Sequence, residues 1–530
     1  MKKFADFIEK FIDLATGILW EIIMVWCFVI VIFLNDLPMG DWIRKRFLLP
    51  NWALLSIGIA ILIGYLFLTG NRKPNFHIFS SSVLLFILQL FVAVQIYFKP
   101  GWDAGNNLLT DAWTLANGLP LGEAITYYSQ YNQNLLLLCI ESAIMRLPVL
   151  LGVTTFEYGY ISLVAAQCLI SAITGYFVYD LILTFSDGSE FREKIAFIGW
   201  LFYVLLIGTS PWSVVVYSDG FGLIFPVLTI WLWTRFERLS GVKKYLTFLL
   251  LCLVSYIGYS IKATVIVAFI AVMMITVCRF LAKCLKDKRA DFISAAAVTA
   301  SVLVVFTGGK ACLERLYDRM GLELDMEMKV TAYHYLMIGW NEEESGTFNG
   351  PDLKFTSYIP DFEDRKEANI SESKRRIKSM LPFHIFVWQA KKTNENYHDG
   401  TFSWWVEGDF CVESYKDRIP VVSSFLKDVF WADGKYNRLF TTLEQTTWLL
   451  ILFLCLIPIK TKDSCMAAAL RLSLIGTFFF VEIFEARSRY LYVFGTLFVI
   501  NAALSAGVIM HLISRAFSPK QTKGQTAPDL

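Results

Sequence analysis

Thirteen apolar blocks, most of them close to the length of a bilayer crossing, run through this chain, and they limit its fold more than any other feature. They cover residues 18–34, 52–69, 78–98, 135–151, 158–185, 194–207, 221–233, 245–260, 263–281, 292–307, 442–459, 466–484 and 491–513. A helix needs about 20 apolar residues to cross a hydrocarbon core ~30 Å thick. Inside lipid, a chain must satisfy its backbone groups within helices or a closed barrel. Soluble proteins carry about 25% charged residues; this chain carries 18%, with 56% hydrophobic residues. Its 530 residues are therefore not two or three soluble domains. A formal net charge of +2, with no basic stripe interleaved with aromatics, excludes a nucleic-acid binder. The expected class is an all-α polytopic membrane protein with about 12–13 transmembrane helices.

Two polar stretches interrupt the blocks, at 99–134 and 309–441. Lys and Arg in short loops mark the cytoplasmic side. Counting back from the C-terminus, Arg515, Lys520 and Lys523 are cytoplasmic, as are Lys460 and Lys462, the run from Arg279 to Arg289, Arg235 to Lys244, and Arg192 with Lys194. The loops between them face outward: 209–220, 260–262, 309–441 and 485–490. With Lys2, Lys3, Lys10, Arg72 and Lys73 inside, this alternation survives only if 135–151, which carries Arg146 and Pro148, does not cross. Arg44, Lys45 and Arg46 then fall outside, against the rule.

The resulting domains are 1–98 (an amphipathic cytoplasmic helix over 4–15 and three spans), 99–157 (an outer loop with juxtamembrane or re-entrant helices) and 158–308 (central spans). They continue with 309–441 (a small extracytoplasmic α/β domain), 442–513 (C-terminal spans) and 514–530 (a cytoplasmic tail). The start does not read as a signal peptide, since its first apolar run is span-length and no small-residue cleavage site follows. The ten cysteines lie mostly inside apolar blocks and show no zinc spacing; a disulfide between Cys312 and Cys411 is the one pairing open to them.

Charge at the outer membrane surface is expensive, so it marks functional candidates. The first is Asp103 in Lys99-Pro-Gly-Trp-Asp103, with Asp111 eight residues on; Asp103 is either a catalytic acid or a helix N-cap. The run Tyr127-Tyr128-Ser-Gln-Tyr-Asn-Gln-Asn134 suits sugar or head-group hydroxyls, or an interfacial aromatic belt. Asp219 in Tyr217-Ser-Asp219 is a third candidate, again with a cap as its alternative. Lys262 is either a snorkelling lysine or an anion ligand. The last cluster is Glu485-Ala-Arg487-Ser-Arg489-Tyr490, with Glu482 one turn earlier. Arginine forks match phosphate, so Lys262, Arg487 and Arg489 read as a phosphate or diphosphate site at the bilayer surface. In the outer segment, Asn341, Gly346 to Gly350 and His398 to Asp409 mix aromatics with acids and amides, as sugar binding or a small packed core would. His398, Asp399, Glu407 and Asp409 could form a metal site, though they include neither a helical His pair nor a Cys.

These runs, Gly101-Trp-Asp-Ala-Gly105, Tyr127-Tyr-Ser-Gln-Tyr131, Tyr217-Ser-Asp219, Ile261-Lys262, His334 to Asn341 with Gly346, and Glu485-Ala-Arg-Ser-Arg-Tyr490, resemble those of the GT-C membrane glycosyltransferases. The likeness is greatest to the protein O-mannosyltransferase-like branch, especially members from Gram-positive bacteria, and it extends over most of the chain. It departs where many relatives carry Asp-Glu at Asp103-Ala104 and His-Pro-Pro at Tyr131-Asn-Gln133. The resemblance implies a GT-C fold and inverting transfer of a sugar, with Asp103 as the general base. It also implies Asp111, Tyr128, Tyr217, Asp219, Lys262, Glu485, Arg487, Arg489 and Tyr490 as substrate-binding residues. The expected donor is a polyprenyl-phosphate sugar, with a glycan, lipid or protein as acceptor, at the outer face of a multi-pass cell membrane, a bacterial plasma membrane in particular. No cofactor is expected, and no nucleic acid. A flippase or transporter, or a polymerase of lipid-linked saccharides, would share the cations. The former should add intramembrane charge or inverted repeats, and the latter should lack an acid after an early span.

Overall fold

In the computed structural model, residues 2–34, 47–70, 72–286, 292–412 and 419–517 are described. Arg44, Lys45, Arg46, Lys288, Arg289, Lys520 and Lys523 lie outside them. The first helices are α1 (Lys2–Phe33), α2 (Asn51–Thr69), α3 (Ile78–Gln95), α4 (Leu109–Ala116), α5 (Ile125–Gln130), α6 (Leu135–Leu150) and α7 (Phe156–Phe185). The central ones are α8 (Arg192–Tyr203), α9 (Ser218–Gly222), α10 (Ile224–Arg238), α11 (Gly241–Ile261), α12 (Ile266–Lys286) and α13 (Phe292–Arg319). The outer segment holds α14 (Ala332–Gly339), α15 (Gly350–Ser357), α16 (Phe362–Met380), α17 (His384–Tyr397), α18 (Trp404–Glu407) and α19 (Pro420–Phe430). Finally come α20 (Asn437–Leu454), α21 (Ser464–Ile483) and α22 (Tyr492–Phe517).

Among the described residues, ten helices are long and apolar enough to cross a membrane. The expected blocks 194–207, 221–233 and 442–459 are helical too, but α8 and α10 are short and α20 carries Glu444, Gln445 and a run of threonines. The all-α class therefore stands, whereas the expected outer α/β domain does not. Among the described residues the only strands are β1 (Lys99–Pro100) and β2 (Cys411–Val412), which pair with each other. The polar segment begins later than expected, because α13 runs on to Arg319. The N-terminal amphipathic stretch and the first span are one continuous helix, α1. Cys312 and Cys411 carry no disulfide.

The basic loops gather at one end of the bundle. Lys194 donates to the Gly70 carbonyl at 2.7 Å, and Lys73 pairs with Glu193 at 3.2 Å. Arg238 reaches the Thr184 carbonyl, Arg279 bridges Glu237 and Asp463, and His511 meets Glu190. The opposite end carries 99–134, 209–220, Lys262 and 484–490. There α7 begins against β1, with the Tyr160 hydroxyl on the Phe98 carbonyl at 2.6 Å and the Lys99 ammonium over the Phe156 ring. The helix α6 also starts at this end, where Asn134 bonds Tyr127, and its Met145 packs on Gly159 in the first turn of α7. Its 16 residues span ~24 Å, short of the hydrocarbon core, although 132–150 is apolar enough to cross.

The outer segment does not simply sit above the bundle. Its helix α17 runs down into it: Thr393 accepts from the Trp26 indole of α1 at 2.9 Å. The Tyr397 ring lies 6.2 Å from both Phe478 and Phe498. Lys392, Thr393, Asn394 and Asn396 are fully buried there.

Candidate functional site

Asp103 opens a wide, π-type turn over Ala104–Leu108 that leads into α4. Gly105 makes that turn fit, since a Cβ there would stand 1.7 Å from the Pro100 carbonyl oxygen. Asp103 occupies the N-cap position, yet its side chain accepts no capping bond. It accepts instead from two phenols, Tyr127 at 2.6 Å on Oδ2 and Tyr217 at 3.5 Å on Oδ1. Asn134 donates to the Tyr127 hydroxyl at 2.7 Å, so that phenol is directed toward the carboxylate. Burial first, then the Asp103 charge, push the Tyr127 and Tyr217 hydroxyls well above the usual tyrosine value, so both remain donors.

Asp219 is likewise not a cap. Buried at the start of α9, it pairs with Lys262 at 2.7 Å and with Arg489 at 3.6 Å. The loop that carries it is arranged by Gln167 of α7, which donates to the carbonyls of Trp212, Ser213 and Val215. A Cβ at Gly220 would stand 2.1 Å from that amide. Arg489 lies over the faces of Trp102, Trp212 and Tyr217 and donates to Glu407 at 2.6 Å. Glu407 also meets Arg487 at 3.4 Å. The Lys262 ammonium sits 5.1 Å from the centre of the Tyr490 ring, whose hydroxyl donates to Glu485. Lys262 and the distant pair Arg487 and Arg489 are thus linked through two carboxylates, Asp219 and Glu407. Of the three, Arg487 has the most accessible side chain, at 25% against 9% for Lys262 and 10% for Arg489.

The outer segment holds the run 484–490 in place. Ala486 N–H donates to the Gly346 carbonyl, Arg487 N–H to the Asn396 side chain, and Ser488 to the Asp399 carbonyl. The Lys392 ammonium donates to the carbonyls of Gly339 and Phe484, and burial draws its pKa below the usual lysine value. Asp399 accepts from Thr401 and Ser403, bracing a turn in which Phe402 and Ser403 have φ of 52° and 63°. That turn leads into α18 and aims Glu407 at Arg489.

Of the residues picked from sequence, Asp103, Tyr217, Asp219, Lys262, Glu485, Arg487, Arg489 and Tyr490 come together. Asp111 and Tyr128 do not join them; they bond to each other at 2.8 Å, one layer behind Tyr127. His398 donates its Nδ1–H to the Asn394 carbonyl, Asp399 serves the turn and Glu407 serves the arginines. Among the described residues no three His, Cys, Asp or Glu side chains gather as a metal site.

A family described as "conserved hypothetical integral membrane protein" matches residues 8–509. The chain belongs to this family. No curated protein and no solved structure matches it. In this integral membrane protein, the run Tyr127 to Asn134 was a candidate from sequence but Tyr128 was preferred within it, and no role was assigned to Trp102, Trp212 or Tyr335. Tyr127 stood next to the tyrosine chosen in its run. Tyr335, which accepts from Gln133 at 3.1 Å, lies in an outer helix with no local sign of its destination.

Proposed function

We propose that this protein is a membrane glycosyltransferase, moving a sugar from a polyprenyl-phosphate donor to an acceptor hydroxyl at the outer face of a bacterial plasma membrane. The observation that carries the reading is the placement of Asp103. Its carboxylate caps no helix, has no ion pair within 4 Å among the described residues, and is held by two phenols beside the Lys262, Arg487 and Arg489 cluster. In the proposed reaction Asp103 takes the proton of the acceptor hydroxyl, and that oxygen forms a bond to the anomeric carbon. The bond from that carbon to the donor phosphate oxygen breaks, and the polyprenyl phosphate leaves with the electron pair. Arg487, the most accessible of the three cations and the more loosely paired, at 3.4 Å from Glu407, meets the leaving phosphate, while Lys262 and Arg489, held at 2.7 and 2.6 Å by Asp219 and Glu407, keep the site's shape.

A lipid-linked-saccharide transporter is the second reading. What favours it is charge within the bundle: Glu141, Glu444 and Glu482 are buried there, each with at least one carboxylate oxygen lacking a hydrogen bond. Mass spectrometry of cell-envelope glycans with and without the gene separates the two. Loss of a transferase removes one sugar substituent while its acceptor persists; loss of a transporter depletes the whole glycan.

A further inference from the structure

We propose that the corner between α16 and α17 is a lipid-contact surface, seated in the outer leaflet beside α1. Within seven positions it exposes Leu381 (55%), Phe383 (80%), Phe386 (63%) and Val387 (46%). Scattered exposed apolar residues need no explanation, but a contiguous patch marks an interaction surface. These side chains are not the core of the outer segment, which is built on Trp340, Met380 and Trp388.

Their depth identifies the partner. Thr393 of α17 bonds Trp26 of α1, and from that contact α17 continues inward to Tyr397 between Phe478 and Phe498. Seven residues separate Thr393 from Phe386, and seven separate Trp26 from Phe33, so both rise ~10 Å from the shared contact. Phe386 therefore stands level with the outer end of α1, where Phe33 is itself 67% exposed on the bundle's lipid-facing flank. The patch continues that flank. Lys374 and Lys378, exposed on the preceding turns of α16, suit headgroup phosphates while the aromatic side chains enter the acyl boundary.

The test is spin labelling of the full chain in liposomes, in a Cys312→Ser background, with labels at Phe383→Cys and, separately, Phe386→Cys. Ile61→Cys on α2 serves as the lipid-facing control and Glu367→Cys on α16 as the aqueous control. At both corner sites the collision rate with oxygen should exceed that with a water-soluble nickel complex, as at Ile61. A nickel rate exceeding the oxygen rate, as at Glu367, overturns the proposal. So do low rates for both reagents, which would mean that protein covers the patch.

Discussion

At the scale of single residues, the account turns on how Asp103 is held. The acid and its alternative as an N-cap were both legible in Gly101-Trp-Asp-Ala-Gly105. What was not legible is that two tyrosines, 24 and 114 residues away, supply its hydrogen bonds, because that depends on where α5 and the 211–217 loop dock. Tyr127 is the shorter and better directed donor. A hydrogen bond to a charged group is worth about 1.5–3 kcal/mol, so Tyr127→Phe should lower transfer roughly 10- to 100-fold at normal expression. Tyr217→Phe, at 3.5 Å, should lower it much less. Equal losses measured by product mass spectrometry would contradict the ordering.

His334 gives a second prediction at this scale. Burial against α15 and α16, only partly offset by Asp352, lowers its pKa from 6.5 to about 4. Between those values the unfolded chain holds a proton that the folded chain does not. Stability of the outer segment should therefore fall as pH drops from 6.5 toward 4, by ~3 kcal/mol at most. Hydrogen exchange in α14, corrected for intrinsic rates, should speed up across that window in the native protein and change far less in His334→Gln.

Among the elements, α6 and α17 mark what patterning can and cannot resolve. The apolar block 135–151 reads as a span by length, and only the Lys and Arg alternation argues against a crossing. In the structure α6 starts near Asp103 and meets the first turn of α7, which begins at that same end. A cysteine at Thr154 should accordingly react with an impermeant maleimide added outside intact cells. Reaction only after the membrane is opened would require α6 to cross. The helix α17 was hidden for a different reason. Its sequence, rich in Lys, Thr, Asn and Glu, is that of a solvated helix, yet its last two turns are buried in the bundle, where Lys392 and Asn396 hold the run 484–488. Such burial is satisfied by backbone carbonyls and side-chain amides contributed by other elements, and composition does not reveal them.

For the molecule as a whole, long apolar helices and the end at which the basic loops meet were readable from sequence, since both rest on the cost of placing charge and bare backbone in lipid. The outer segment's helical build was not. Its mixed polar composition lacks a clear period, and its helices are secured by distant contacts such as Arg376 on Asp352 at 2.7 Å. The central claim, that this bundle gathers one early acid and three cations into a sugar-transfer site, is tested most directly by Asp103→Asn. Envelope glycans should be compared by mass spectrometry in cells carrying the native chain, no chain, or the variant at matched membrane level. Asparagine keeps the side chain's size, and loss of a general base costs about 10²–10⁴ in rate. The account predicts that the variant's glycan profile matches that of cells without the chain. A profile indistinguishable from native would contradict it.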